Sequence, residues 1–294
     1  MLLGSIEAGG TKFICAVGNE QYTVIDSITI PTTVPGDTLS QAVRFFEQYQ
    51  DQGLSGIGIS SFGPIEVRKS SSKYGYIIDT PKQGWSDVDF LGPFKKFNIP
   101  LYWTTDVNGS AYGEYVLSLI AQKPIQSLVY YTVGTGVGAG IYEDDHFLGA
   151  AGHPEAGHVY VKRHPDDLDF KGICPAHGDC LEGLVCGPTF EARLGMRGQD
   201  VPLDNPVWDI MAYYVAQAAI QSTLLIRPNV IIFGGGVISE PFLKLVRDHF
   251  KHLFKDYVTV GDLDSYLRMP LAKNNGSATI GNFALALYAI NQAK

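Results

Sequence analysis

The chain has 294 residues, of which 45% are hydrophobic and 18% are charged, as in an ordinary soluble globular protein. This length is sufficient for two lobes with separate cores. The formal net charge of −8 makes nucleic acids and anionic membrane surfaces unfavourable partners. The sequence shows neither a signal peptide nor an apolar run of the roughly 20 residues that span a membrane, so we expect a cytoplasmic protein.

The first part of the chain predicts strands joined by a glycine turn, followed by a helix and further strands. Gly9 and Gly10 form the turn of a predicted hairpin, and Asp37 is placed to cap the first helix. Predicted strands cover 2–7, 13–17, 22–30, 57–60 and 101–104, and predicted helices cover 38–51 and 107–122. The segment 70–97 is rich in serine, glycine, proline and aromatic residues and is predicted to be a functional surface loop region.

The pattern of strand, glycine turn and strand recurs about 125 residues later, which indicates an internal duplication. Predicted strands cover 128–133, 137–142 and 230–233, and predicted helices cover 181–194, 206–226, 240–254 and 277–292. This order predicts a duplicated, two-lobed α/β fold of the actin and hexokinase type, which is ribonuclease H-like. We expect a small lobe at 1–108 with the C-terminal helix at about 277–294, and a large lobe at 109–276.

Three glycine-rich segments have the composition of loops that bind phosphate or nucleotide. In the first, Gly9, Gly10, Thr11 and Lys12 offer bare backbone N–H groups, a hydroxyl and a cation. The second, 134–140, enters a strand and lacks the spacing of a dinucleotide-binding loop. The third, 234–236, follows a buried strand and would let a base or ribose approach the backbone. Each segment alone is also compatible with a tight turn, but three together favour nucleotide binding.

Cysteines and histidines are concentrated in one region of the sequence. His158, Cys174, His177 and Cys180 have the spacing H-x15-C-x2-H-x2-C, which is typical of a closed tetrahedral zinc site. The alternative is a set of scattered histidines and buried thiols. The rival ligands are His153, His164 and Cys186, of which Cys186 is more consistent with a small core residue.

Several polar side chains are candidates for acid–base chemistry or ligand contact. Asp106 lies between a predicted strand and a predicted helix, where a carboxylate can accept a proton from a hydroxyl or simply cap the helix. Glu155 and Glu182 flank the metal motif and are either acceptors for vicinal hydroxyls or ordinary solvated glutamates. Trp85 either stacks on a ligand or pins the loop region that contains it.

Together these motifs resemble those of the ROK family (repressors, open reading frames and sugar kinases) over nearly the whole chain. Within the family they are most similar to those of the bacterial fructokinases. The segments that carry the resemblance are 7–12, 105–108, 134–140, 155–158 and 174–182. The last two, which combine ligands for a sugar and for zinc, are the most specific.

The resemblance implies a kinase in which Asp106 is the general base for the 6-hydroxyl of a hexose that attacks MgATP. The implied substrate-binding residues are Gly63, Thr80, Thr105, Asn108, Glu155, His158 and Glu182. The implied nucleotide-binding residues are Gly9, Gly10, Thr11, Lys12, Thr132, Gly134, Thr135, Gly136, Pro188, Gly234, Gly235 and Gly236. A structural zinc on His158, Cys174, His177 and Cys180 is implied, with the second ring nitrogen of His158 toward the sugar. A homodimer is implied as well.

The sequence departs from the common family pattern at three positions. Position 7 is Glu where most members have Asp, which leaves its role toward magnesium open. Thr105 stands where many members have Asn, and His177 stands where many have a third Cys. The fructokinase-like members share the Glu and the Cys-His-Cys pattern, and the loop 80–85 also resembles theirs, so the resemblance favours fructose as the hexose.

Other functions compete with this interpretation. A mannokinase or glucokinase of broad specificity differs from a fructokinase in only a few hydrogen bonds. A sugar-sensing regulator of this family has a helix-turn-helix domain before the first phosphate loop, and we expect none here because that loop begins at residue 6. A catalytically inactive sugar-binding protein is disfavoured because Asp106 and all three glycine segments are present.

Overall fold

The structure is a computed structural model that describes residues 1–149 and 153–293. The chain forms two compact units. Unit 1 contains Met1–Pro124, Gly149, His153 and 271–293, and unit 2 contains Ile125–Leu148 and Pro154–Pro270. The predicted lobe boundary between 108 and 109 falls inside the helix Asp106–Ile120, all of which belongs to unit 1.

The elements of regular structure follow one another along the chain. The first part contains β1 (Leu2–Ala8), β2 (Lys12–Gly18), β3 (Val24–Pro31), α1 (Pro35–Glu47), β4 (Leu54–Ser61), β5 (Tyr76–Ile77), β6 (Val88–Asp89), β7 (Leu101–Thr105) and α2 (Asp106–Ile120). The second part contains β8 (Ser127–Val133), β9 (Val137–Glu143), β10 (His146–Phe147), α3 (Leu181–Val185), α4 (Pro188–Leu194), α5 (Val207–Leu225), β11 (Val230–Gly234), α6 (Glu240–Phe254), α7 (Leu263–Tyr266), β12 (Leu267–Arg268) and α8 (Ser277–Gln292).

The two units have sheets of the same topology. In unit 1 the 5-stranded sheet has the order β3-β2-β1-β4-β7, and in unit 2 it has the order β10-β9-β8-β11-β12. In each sheet the first three strands of the chain form an antiparallel meander, and the two later strands are added in parallel. The predicted duplication is therefore present in the strand order of both units.

The predicted helices 38–51 and 181–194 differ most from those in the structure. Helix α1 begins at Pro35 and not beyond Asp37, because the fixed φ of proline suits the first helical turn. Asp37 lies within that first turn, where its negative charge interacts favourably with the helix dipole. The predicted helix 181–194 is divided into α3 and α4, because Pro188 has no N–H group with which to continue α3.

Each unit has a hydrophobic core of its own. In unit 1, Trp85 is completely buried, and its ring contacts the rings of Phe13 and Phe62. Its Nε1 atom donates a hydrogen bond to the carbonyl of Thr33 at 2.7 Å. Trp85 therefore pins the loop region, which decides between the two interpretations of its role. Within residues 1–149 and 153–293, no helix has the length and apolar character needed to cross a membrane.

Candidate active site

The β1–β2 turn in unit 1 contains the first glycine segment. The N–H of Gly9 donates to the carbonyl of Lys12 at 2.9 Å and closes the turn. Thr32 holds the turn from behind, since its hydroxyl donates to the carbonyl of Gly9 at 2.7 Å and its N–H donates to the carbonyl of Thr11 at 3.0 Å. A Cβ on Gly10 would meet no atom within 4 Å, so the backbone is open there to a bound group.

Asp106 is the first residue of α2, directly after β7. The helix is capped by Thr105, whose Oγ1 accepts a hydrogen bond from the N–H of Asn108 at 3.3 Å. Thr105 is therefore the residue that caps α2, so helix capping is not the role of Asp106. The Oδ1 atom of Asp106 accepts from the N–H of Val107 at 2.9 Å, and its side chain is partly exposed.

Glu7, at the end of β1, is electrostatically coupled to Asp106. The pKa of Glu7 is raised to about 7, mainly by burial and also by the negative charge of Asp106, while the positive charge of Lys12 acts in the opposite direction. Oε2 of Glu7 and Oδ1 of Asn108 are buried in unit 1 and have no hydrogen-bond partner within the described chain. Such orphaned acceptors are costly unless a ligand satisfies them, and they lie at the same end of the sheet as Asp106.

The other predicted substrate residues of unit 1 lie in loops. Thr80 is 9% exposed, and its hydroxyl accepts a hydrogen bond from the N–H of Lys82 at 3.4 Å. Gly63 follows β4, and a Cβ at this position would lie 3.6 Å from the imidazole of His153. His153 was expected only as a rival metal ligand. Gly63 and His153 are far apart in the sequence, so short-range motifs gave no signal that they lie close together.

The glycine segments of unit 2 make close contacts with neighbouring residues. The carbonyl of Gly134 accepts a hydrogen bond from the N–H of Gly187 at 2.7 Å, which the break between α3 and α4 makes possible. Gly235 has a φ of +95°, and a Cβ there would lie 2.4 Å from the carbonyl oxygen of Val133. A Cβ on Gly234 would lie 2.2 Å from the hydroxyl of Tyr130. Glycine is thus required at these points for packing.

A cavity of about 690 Å³ lies beside these segments in unit 2. Four of the predicted nucleotide residues line it, namely Gly134, Thr135, Pro188 and Gly236. Its apolar lining includes Phe190, Val201 and Trp208, which the sequence did not single out because they belong to ordinary apolar patterns. The Nε1 of Trp208 donates to the carbonyl of Pro202 at 3.0 Å, so its ring is fixed in place.

The predicted metal ligands come together in unit 2. The ligand atoms of His158, Cys174, His177 and Cys180 all lie within 4.8 Å of one another. Nδ1 of His158 lies 3.7 Å from Sγ of Cys174 and 3.5 Å from Sγ of Cys180. A tetrahedral zinc ion with ordinary bond lengths separates nitrogen and sulfur ligands by roughly 3.6 Å. The donor set and its spacing therefore fit zinc. Cys186 is buried in the core and does not belong to the group.

The second ring nitrogen of His158 points toward Glu182. Nε2 of His158 lies 4.0 Å from Oε1 of Glu182, and Oε2 of Glu182 accepts a hydrogen bond from the N–H of Val137 at 2.9 Å. Glu155 is exposed, and its carbonyl accepts from the N–H of His158 at 2.9 Å. His158 thus faces the cysteines with one nitrogen and a carboxylate with the other.

Comparison of the sequence with known proteins identifies the family. A family model described as the ROK family matches residues 3–289. The chain belongs to the ROK family. It is 52% identical to the fructokinase of Streptococcus mutans, over 97% of each chain, and 46% identical to the fructokinase of Lactococcus lactis subsp. cremoris, over 96% of each chain.

The fold agrees with that of solved ROK proteins. The ROK hexokinase from Thermus thermophilus has a TM-score of 0.79 to this chain at 19% sequence identity, covering 99% of this chain and 100% of the other. The predicted fold of the actin and hexokinase type is confirmed, as is the predicted membership of the ROK family.

Proposed function

We propose that this ROK protein is an ATP-dependent fructokinase, which converts fructose and ATP to fructose 6-phosphate and ADP. The observation that carries the proposal is the 52% identity to the fructokinase of Streptococcus mutans over nearly the full length of both chains. The glycine turn, the Glu7–Asp106 pair and the cavity beside Gly134 supply the groups that such a reaction needs.

Asp106 is the general base in this proposal. It accepts the proton of the 6-hydroxyl as the alcohol oxygen attacks the γ-phosphorus of ATP, and ADP leaves. Its backbone position at the first turn of α2 is held by the Thr105 cap. The neighbouring Glu7 retains a proton up to about pH 7, which reduces the repulsion between the two carboxyl groups.

The glycine segments are assigned to the nucleotide. Backbone N–H groups of the β1–β2 turn and the side chain of Lys12 interact with the phosphates, and magnesium enters as part of the MgATP substrate. The cavity of unit 2 accepts the adenosine, with its apolar lining against the base and Pro188 at its wall. Thr132, Gly136, Gly234 and Gly235 are assigned to the nucleotide as well, and Thr132 is paired in register with Gly234.

Two sets of residues are assigned to the sugar. In unit 1, Gly63, Thr80, Thr105 and Asn108 are assigned to it, and the open Oδ1 atom of Asn108 supports this role. In unit 2, Glu155, His158 and Glu182 are assigned to its hydroxyl groups. Zinc, when bound by His158, Cys174, His177 and Cys180, supplies a structural cross-link that orients the ring of His158.

A coupled assay of ADP release tests the proposal. Purified protein is incubated with MgATP and, separately, fructose, mannose, glucose and N-acetylated hexosamines. We expect the highest kcat/KM with fructose. Preference for mannose or glucose would favour a broader hexokinase, and absence of ADP release with every sugar would contradict a kinase. We also propose a cytoplasmic location and a homodimer. Light scattering measures the molar mass in solution and so tests the homodimer.

A further inference from the structure

Asn282 is completely buried in α8, the last helix of unit 1. Its Nδ2 atom donates to the carbonyl of Ile6 at 2.9 Å and to the hydroxyls of Ser60 and Ser5 at 3.0 and 3.2 Å. A carbonyl oxygen can only accept, so the contact with Ile6 fixes the nitrogen of the amide toward the sheet. The side chain of Asn282 thereby joins α8 to the two adjacent strands β1 and β4.

These contacts lie directly behind the groups proposed to react. Ile6 precedes Glu7, and Glu7 is paired in register with Ser60 of β4. Ser60 is paired on its other side with Thr104 of β7, after which Asp106 begins α2. The amide therefore contacts β4. This strand lies between β1, which contains Glu7, and β7, which leads into Asp106.

The oxygen of the same amide faces α2. A Cβ built on Gly109 would lie 3.2 Å from Oδ1 of Asn282, and Gly109 is one helical turn beyond Asp106. Within the described chain this oxygen has no hydrogen-bond partner. A buried acceptor of this kind destabilises the fold by about 1–3 kcal/mol. An apolar side chain of similar size would avoid this cost, which indicates that the amide has a role other than stability.

Glycines bring the backbone of α8 into direct contact with its neighbours. A Cβ on Gly58 of β4 would lie 1.9 Å from the carbonyl oxygen of Asn282, and a Cβ on Gly281 would lie 1.9 Å from the carbonyl oxygen of Gly109. No flexible side chain separates these elements at the contacts. A displacement of the middle of α8 must therefore be transmitted to β4 and to the first turns of α2.

We propose that Asn282 is a positioning residue for phosphoryl transfer, which holds the ends of β1 and β4 and the start of α2 in the register that brings Glu7 and Asp106 together. This inference rests on the proposed kinase activity with Asp106 as base. Misplacement of a reacting group by about 1 Å costs about 100-fold in rate, so loss of the amide affects kcat more than sugar affinity.

The test compares Asn282→Ala with a matched control on the same helix. Ile290 lies two turns further along α8 and packs against Gly56, near the opposite end of β4. For Asn282→Ala we expect kcat to fall about 10- to 100-fold with the KM for fructose changed less than about 3-fold. For Ile290→Ala we expect a lower unfolding temperature but a kcat within about 2-fold of the wild type.

Ser60→Ala is the second test variant, for use if Asn282→Ala does not fold. It removes one hydrogen-bond acceptor of the Asn282 amide without opening a large cavity. We expect its kcat to fall about 3- to 10-fold at unchanged KM. A normal kcat in an active, folded Asn282→Ala protein or in Ser60→Ala would overturn the inference, as would an equal loss of kcat in Ile290→Ala. A wild-type protein without kinase activity would refute the proposed function itself, and with it this inference.

Discussion

The carboxylate of Glu182 accepts a hydrogen bond from the backbone N–H of Val137 at 2.9 Å. A Cβ on Gly136 would lie 2.7 Å from the same oxygen, so the glycine segment between β8 and β9 is shaped around this carboxylate. The other oxygen lies 4.0 Å from Nε2 of His158. Glu182 therefore links the second glycine segment to the metal ligands within unit 2.

Substitution of Glu182 should separate its two contacts. Glu182→Ala loses the acceptor for Val137 and the carboxylate beside His158, so we expect the KM for ATP and the KM for fructose each to rise about 10-fold. Glu182→Gln is the matched control, because its amide oxygen can still accept from Val137; its KM for ATP should stay near normal. Steady-state kinetics, with ATP and fructose varied in turn, measure the two KM values. An unchanged KM for ATP in Glu182→Ala would show that the link has no effect on nucleotide binding.

The metal cluster predicts about one zinc ion per chain. Cys174→Ser and Cys180→Ser should each lose most of the zinc and unfold at lower temperature, because the hydroxyl is a much weaker zinc ligand than the thiolate. Cys15→Ala and Cys186→Ala are the controls, since both cysteines are buried outside the cluster. Metal analysis of the purified proteins gives the result directly. A folded, active wild-type protein that contains no zinc would remove zinc from the proposal.

Trp85 should contribute to stability and not to sugar affinity. Trp85→Phe keeps an aromatic ring in the core but loses the hydrogen bond to the carbonyl of Thr33, so we expect the free energy of unfolding to fall by about 1–2 kcal/mol. The KM for fructose should change by less than about 2-fold, since the side chain is completely buried. Denaturant unfolding and steady-state kinetics measure the two quantities. A large rise in KM at unchanged stability would support a sugar-stacking role instead.

Glu7 should make stability depend on pH. Its pKa is raised from 4.5 to about 7, so the folded protein holds the proton at pH values where the unfolded chain has released it. The free energy of unfolding therefore falls as the pH rises from about 4.5 to about 7, by up to roughly 3 kcal/mol. Glu7→Gln should remove this decline and be more stable than the wild type at pH 8.

Denaturant unfolding at pH 5 and pH 8, in buffer without magnesium, measures the effect of Glu7. Glu20→Gln is the control, because that glutamate is exposed at the surface. Its curve should follow the wild type at both pH values. Equal stabilities of Glu7→Gln and the wild type at pH 8 would contradict the raised pKa.

Local spacing in the sequence predicted much of the fold and the grouping of the four candidate metal ligands. The glycine turns after β1 and β8 join antiparallel neighbouring strands, which is a short-range hairpin signal. The ligand spacing from Cys174 to Cys180 allows all three ligands of that loop to reach one ion. The break between α3 and α4 was missed, although Pro188 provided a signal for it. Short-range rules therefore worked where the structure depends on neighbouring residues.

Contacts between distant residues could not be predicted in the same way. Asn282 contacts Ile6 across 276 residues, and an asparagine within a helical pattern gives no indication of burial. The hydrogen bond from Val137 to Glu182 and the place of Trp208 in the cavity likewise depend on how elements pack in three dimensions. Intrinsic propensities carry no information about such packing.

Phosphoryl transfer by Asp106→Asn is the decisive measurement. The amide cannot accept the proton of the fructose hydroxyl, so we expect kcat to fall about 10²- to 10⁴-fold, while calorimetric fructose affinity stays within about 3-fold. Asp51→Asn, at an exposed site, should keep normal kinetics. A folded Asp106→Asn protein that phosphorylates fructose at a near-normal rate would contradict the assignment of Asp106 as the base.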